Sequence, residues 1–129
     1  MSNLTYVAPF FIVADVQPSL AFYVDKLGFH ILYTGPEDDP FFGMVCRDKV
    51  SIMLKAIAPD VMPVPNHTRH EWARWDAYIS TEDPDALYEE YRLKGVAFHQ
   101  PLRDDEDNLR GFEVADADGY ILFFGRPNN

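Results

Sequence analysis

Apolar and polar residues change their spacing along this chain in an order that occurs twice. Thr5 to Ala14 is apolar and β-prone, which predicts a strand. Pro18 then opens a helix, where its missing N–H costs nothing. Leu20, Tyr23, Val24 and Leu27 recur at helical spacing and predict a sheet-facing stripe, with Gly28 as the C-cap. Strands follow over Phe29–Thr34, Phe41–Arg47 and Val50–Ala56, the last two joined in a hairpin at Asp48-Lys49. The second pass runs from a strand at Trp75–Ser80 to a helix with Asp83 as cap, Pro84 at its first position, Asp85 in its first turn and Gly95 at its end. Strands are expected at Val96–Leu102, Leu109–Ala115 and Tyr120–Gly125, with a solvated acidic turn at Arg103–Asp107 and a hairpin at Asp116-Ala117-Asp118-Gly119.

The two passes superpose. Leu20 and Leu87 stand 67 positions apart, as do Gly28 and Gly95. Further on, Phe42 aligns with Phe112 and Asp48 with Asp118 at an offset of 70, which implies a short insertion in the second half. The expected organisation is one domain, 1–129, made of two βαβββ repeats at about 4–57 and 74–126. Residues 58–73 link them as a long proline-rich loop, and loops of such length are commonly functional. A βαβββ unit covers one face of its sheet with a helix and leaves the other free for a cleft.

Strand alternation assigns residues to those faces. Phe11, Val13, Ile52, Leu54, Ala77 and Ile79 suit the helix-covered side. Ala8, Phe10, Ile12, Ser51, Met53, Lys55, Asp76, Tyr78, Ser80, Ile121 and Phe123 then face the cleft, with Glu113 from the preceding strand and Arg110 at the rim. Trp72 and Trp75 are candidates for a lid or far wall, with ordinary packing as the alternative for every ring. Aromatic faces stack on flat heterocycles and attract cations.

Composition narrows the chemistry. The chain has 129 residues, 47% hydrophobic and 15% aromatic, which is the make-up of a globular protein. Its net charge of −10 repels nucleic acid and anionic lipid, and suits a neutral or cationic small molecule. No apolar run reaches membrane-spanning length, and the N-terminus lacks a signal-peptide pattern. Cys46 is the single cysteine, so a reducing cytoplasm is the expected location. No nucleophile elbow, phosphate-cradling glycine loop or Cys/His pair is apparent. His67 and His70 could chelate only on a helical segment, and Arg69 between them opposes a cation; His30 and His99 read as edge histidines. Asp76 and Glu113 are the remaining candidates for acid–base chemistry.

Val13-Ala14-Asp15, Ala21-Phe22-Tyr23 and Leu27-Gly28-Phe29, with Asp83-Pro84-Asp85-Ala86-Leu87 and Asp116-Ala117-Asp118-Gly119, resemble the vicinal oxygen chelate superfamily of glyoxalases, bleomycin-resistance proteins and dioxygenases. Phe22 to Phe29 and Asp83 to Glu90 look most like the bleomycin-resistance branch. The resemblance implies an α+β fold in which paired βαβββ modules form a U-shaped mixed sheet around a cleft, commonly in a homodimer. Metal-using members carry His or Glu at four strand positions, which fall here on Ala8, Met53, Asp76 and Phe123. Ala and Phe cannot ligate, Met is soft, and one Asp cannot hold zinc or iron. The resemblance therefore implies a metal-independent and cofactor-free binding protein for a bulky cationic or aromatic antibiotic such as a bleomycin-type glycopeptide. A superfamily lyase, isomerase or dioxygenase with a non-standard site is the alternative, and an interaction module without a small ligand is a third.

Overall fold

A computed structural model describes residues 2–128. The chain divides into two compact units, Met1–Pro63 and Val64–Asn129. The first contains β1 (Phe10–Ile12), α1 (Val16–Ala21), β2 (His30–Gly35), β3 (Phe42–Arg47) and β4 (Val50–Lys55). The second contains β5 (Ala77–Ser80), α2 (Pro84–Leu93), β6 (Phe98–Asp104), β7 (Leu109–Ala115) and β8 (Ile121–Pro127). Their sheets have equivalent strand orders, β1-β4-β3-β2 and β5-β8-β7-β6. The first strand of each pairs parallel with the last, and the other neighbours are antiparallel. This is the α+β pattern of two βαβββ modules expected from the sequence.

Local chemistry places the helices. Asp15 caps α1 by accepting from the Gln17 N–H at 3.1 Å, and Asp83 caps α2 by accepting from the Ala86 N–H at 3.1 Å. Such caps are worth about 1 kcal/mol each. α1 is shorter than its apolar stripe suggests: after Ala21 the coil widens into a π-helical turn over Phe22–Lys26. Gly28, at φ 75°, then reverses the chain, and the Phe29 N–H reaches back to the Tyr23 carbonyl at 3.0 Å. The wide turn still brings Tyr23 and Leu27 to full burial beside Leu20. β1 is also shorter than Thr5–Ala14, because Leu4, Tyr6 and Val7 stay exposed and ladder pairing begins only near Pro9.

Each unit has its own core between sheet and helix. In the first, Phe11, Val13, Val45, Ile52 and Leu54 are buried with the α1 side chains. In the second, Phe112 and Phe124 stack at 5.3 Å and Tyr91 of α2 meets both rings edge-on, at 6.0 and 5.5 Å. Burying a ring of that size contributes about 2 kcal/mol or more, so this cluster anchors α2 to β7 and β8.

The strand registers correct one sequence alignment. Met44 pairs with Met53 and Glu113 pairs with Phe123. The offset between modules is thus 69 from β3 to β7 and 70 from β4 to β8. Phe42 therefore corresponds to Gly111, and Phe112 belongs to the opposite, helix-covered face. The physical reason lies in the hairpins. Arg47 pairs with Val50 around two residues, whereas the Asp116 N–H bonds the Tyr120 carbonyl around three. One added residue reverses which side chains face the core. Asp116 holds the longer turn, its carboxylate accepting from Asp118 N at 2.9 Å and Tyr120 N at 3.0 Å.

Candidate functional site

The helix-free face of the first unit is apolar and accessible. Phe10 of β1 lies beside Met53 of β4, which lies beside Met44 of β3. Phe10 is 52% exposed, and Met53 and Lys55 are half-buried. Ser51 is buried on the same face, and Lys55 Nζ lies 5.6 Å from the Phe41 ring centre. Four of the expected ligand-facing residues are therefore together. The face also holds a Cys/His pair that the sequence did not suggest. Cys46 and His30 are cross-strand neighbours, with Sγ 3.5 Å from Nε2. Sixteen positions separate them, so only strand pairing reveals the contact.

The helix-free face of the second unit is more elaborate. Tyr78 of β5, Phe123 of β8 and Glu113 of β7 are successive cross-strand neighbours. Tyr78 stacks on Phe123 at 5.3 Å, and Trp75 packs on Phe123 at 4.7 Å. Phe123 is 2% exposed, whereas Tyr78 is 42% exposed and Trp75 half-buried. Phe123 is thus the base of an aromatic platform whose accessible surface is Trp75 and Tyr78. Two glycines make room for it: a Cβ on Gly111 or on Gly125 would lie 2.6 Å from Phe123 Cζ. Trp75 is part of this packed layer. Trp72 is 83% exposed, and its ring contact is with His70 at 5.3 Å.

Beside the rings lies an ion-pair network. The Arg74 guanidinium reaches Asp105 at 3.1 Å, Asp107 at 3.2 Å and Glu113 at 3.2 Å. It also lies 4.5 Å from the Trp75 ring centre. Burial disfavours the charged guanidinium, but its bonds to Asp105 and Glu113 outweigh that and raise its pKa. Burial likewise pushes the Asp105 carboxyl up, yet the Leu109 and Asp107 N–H groups and Arg74 together hold it below the usual carboxylate range. With its side chain only 2% exposed, Asp105 is not part of a solvated turn; it is the internal brace of that turn. Glu113, 5% exposed, accepts from Arg74 through Oε2 and lies 3.0 Å from His99 Nδ1 through Oε1.

Three expected site residues serve other ends. Asp76 accepts from Asn66 N and Ile121 N, both at 2.8 Å, so its carboxylate ties the long loop to β8. Both Glu113 oxygens are engaged within the network. Arg110 lies on the helix-covered side, because it alternates with Glu113 along β7. There it forms a two-pronged pair with Asp85 of α2, at 2.8 and 2.9 Å, and bonds Asp104 at 3.0 Å. These carboxylates raise the Arg110 pKa further above its ordinary value. His67 and His70 do not act as a pair: His67 Nε2 meets the Gly119 carbonyl at 3.0 Å, and His70 Nδ1 accepts from Trp72 N.

The positions that carry metal ligands in metal-using members do not fit a metal here. Ala8, Met53 and Phe123 offer no hard donor, and the Asp76 oxygens already hold two backbone N–H groups. Among the described residues, no group of three or more His, Cys, Asp or Glu side chains is placed to bind an ion. A separate depression beside the start of α2, lined by Glu82, Asp83, Pro84, Asp85 and Arg110, is polar and carries none of the aromatic platform. Among the described residues, no helix is long and apolar enough to cross a membrane.

The chain is thus built from two βαβββ modules, each with a helix-free sheet face. The sequence pattern of the Glyoxalase/Bleomycin resistance protein/Dioxygenase superfamily matches residues 4–124, and the chain belongs to that family. No curated protein matches the chain. Among solved structures, TioX from Micromonospora sp. ML1 is similar at 18% identity and TM-score 0.71, with 96% of this chain and 98% of that one covered. TnmS3, an antibiotic-binding protein from Streptomyces sp. CB03234, is similar at 21% identity and TM-score 0.70, over 98% and 99% of the two chains. The bleomycin-binding protein from bleomycin-producing Streptomyces verticillus, solved with copper(II)-bleomycin, is similar at 24% identity and TM-score 0.69, over 96% and 97%. At these identities the likeness establishes the fold.

Proposed function

We propose that this chain is a metal-independent binding protein for a bulky, planar aromatic compound, and that it sequesters an antibiotic such as a bleomycin-type glycopeptide as a cytoplasmic homodimer. One observation carries the reading. Where metal-using relatives place a ligand on the last strand, this chain builds a ring stack of Trp75, Phe123 and Tyr78, seated over Gly111 and Gly125. Stacked rings contribute about 0.5–1.5 kcal/mol each beyond the area they bury. Exposed Phe10 and half-buried Met53 give the first unit's helix-free face an apolar surface of its own. Attraction for a cationic portion rests on the net charge of −10 and on ring faces, since the Asp76 and Glu113 oxygens are bonded internally. The similarity to bleomycin-binding and antibiotic-binding proteins supports the ligand class.

The test is protection of DNA. With the protein in molar excess over bleomycin, strand cleavage by the drug is expected to fall in proportion to the protein added. Unchanged cleavage would remove bleomycin as the ligand. Stoichiometric iron, manganese, nickel or zinc in protein purified without chelator would overturn metal independence.

A further inference from the structure

The polar end of the second unit's helix-free face is an imidazole, not a carboxylate. His99 of β6 directs Nδ1 at Glu113 Oε1, 3.0 Å away, and the Glu113 carboxylate is held on its other side by Arg74 at 3.2 Å. A carboxylate oxygen facing a ring nitrogen requires a hydrogen on that nitrogen. Glu113 therefore fixes Nδ1 as the donor, and in neutral His99 the lone pair lies on Nε2. Among the described residues no hydrogen bond engages Nε2, and the His99 side chain is 44% exposed. The neighbouring ring, His67, is held apart at 5.6 Å with its own Nε2 on the Gly119 carbonyl. The result is an accessible acceptor with a fixed tautomer, backed by a buried carboxylate.

Its place relative to the rings gives it a use. Tyr78, Phe123, Glu113 and His99 come from four adjacent strands, β5, β8, β7 and β6. Three strand spacings put the exposed Tyr78 roughly 14 Å from His99. The Arg74 guanidinium, lying against Trp75 and Glu113, fills the interval with another flat surface. A multi-ring compound lying on Trp75 and Arg74 would bring its far edge to Nε2.

Resting on the proposed binding role, we infer that His99 is the specificity-determining acceptor for a phenolic or enolic hydroxyl on a flat polycyclic ligand. Glu113 is a positioning residue that holds the tautomer, and Arg74 both steadies Glu113 and offers its guanidinium face to the ligand. The inference separates hydroxylated aromatics from their ethers, which the ring platform alone does not do.

The experiment compares 1-hydroxypyrene with 1-methoxypyrene by fluorescence titration of the full chain. The hydroxy compound is expected to bind about tenfold more tightly, the worth of one good hydrogen bond. His99→Phe and His99→Leu should abolish that preference, bringing the two affinities together. The 15N resonance of His99 Nε2 should move when 1-hydroxypyrene is added and stay in place with the ether. Equal affinities in the wild type, or a preference that survives both variants, would overturn the inference. Trp75→Ala tests the parent reading separately: it should weaken both compounds alike and keep their ratio. If Trp75→Ala changes neither affinity, or if neither compound binds, the aromatic-platform reading fails and this inference with it.

Discussion

Arg74 and Glu113 meet at 3.2 Å although 39 positions separate them in sequence, and the carboxylate is nearly sealed from solvent. The contact joins the end of the long loop to the middle of the second sheet. A buried carboxylate left without its cation is costly. Arg74→Ala should therefore destabilise the protein by about 2–4 kcal/mol, the lower part of the range reflecting the partial exposure of the guanidinium. Urea unfolding of wild type and variant measures it. A change below about 0.5 kcal/mol would mean that the network is a surface ornament.

Asp105 should shape the acid limb of stability. Its folded-state pKa lies below the unfolded value, so its contribution is complete above about pH 3.9, the ordinary carboxyl value, and is lost as pH falls through the folded-state pKa. Asp105→Asn should cost about 1–2 kcal/mol at neutral pH, and the penalty should shrink on acidification. Unfolding free energies measured across the acid range would show the two curves converging. Parallel curves would contradict the assignment.

Gly111 is predicted to be intolerant of a side chain because the Phe124 backbone carbonyl and the Phe123 ring occupy its space. A Cβ there would lie 2.6 Å from Phe123 Cζ and 2.8 Å from Gly125 Cα. Gly111→Ala should cost about 1–3 kcal/mol through overpacking, and should weaken aromatic ligands by tilting the platform. Thermal unfolding and ligand titration together check this. Loss of stability with undiminished binding would detach Phe123 from the site.

The two tryptophans should report differently. Trp75 lies in the ring stack, whereas Trp72 is 83% exposed. Quenching of intrinsic fluorescence by bound ligand should persist in Trp72→Phe and disappear in Trp75→Phe. The reverse pattern would move the site into the long loop.

Much of the fold was legible because its signals are local. Asp15 and Asp83 as caps, Gly28 and Gly95 after the helices, and Asp48 and Gly119 in the hairpins mark both modules, and four of these six residues have positive φ. Alternation placed Phe10, Met53 and Tyr78 correctly on helix-free faces. The errors came from two sources. One extra residue in the Asp116–Tyr120 turn shifted β7 against β3, so Phe112 was aligned with a residue on the wrong side. Long-range polar partners were invisible: nothing near Asp76 announces the Ile121 N–H, and nothing near Asp105 announces Arg74. Asp76 and Glu113 read as ligand-facing charges because strand parity gives direction only. It does not say which groups are already bonded. Arg110 was misplaced for the related reason that its partner, Asp85, lies 25 positions away on α2.

Isothermal titration of metal-free bleomycin into chelator-treated protein tests the central claim most directly. The account predicts a saturable heat that is unchanged by added EDTA and is lost in the Trp75→Ala/Tyr78→Ala double variant. Absence of heat, or binding that appears only when a divalent ion is restored to the protein, would contradict it.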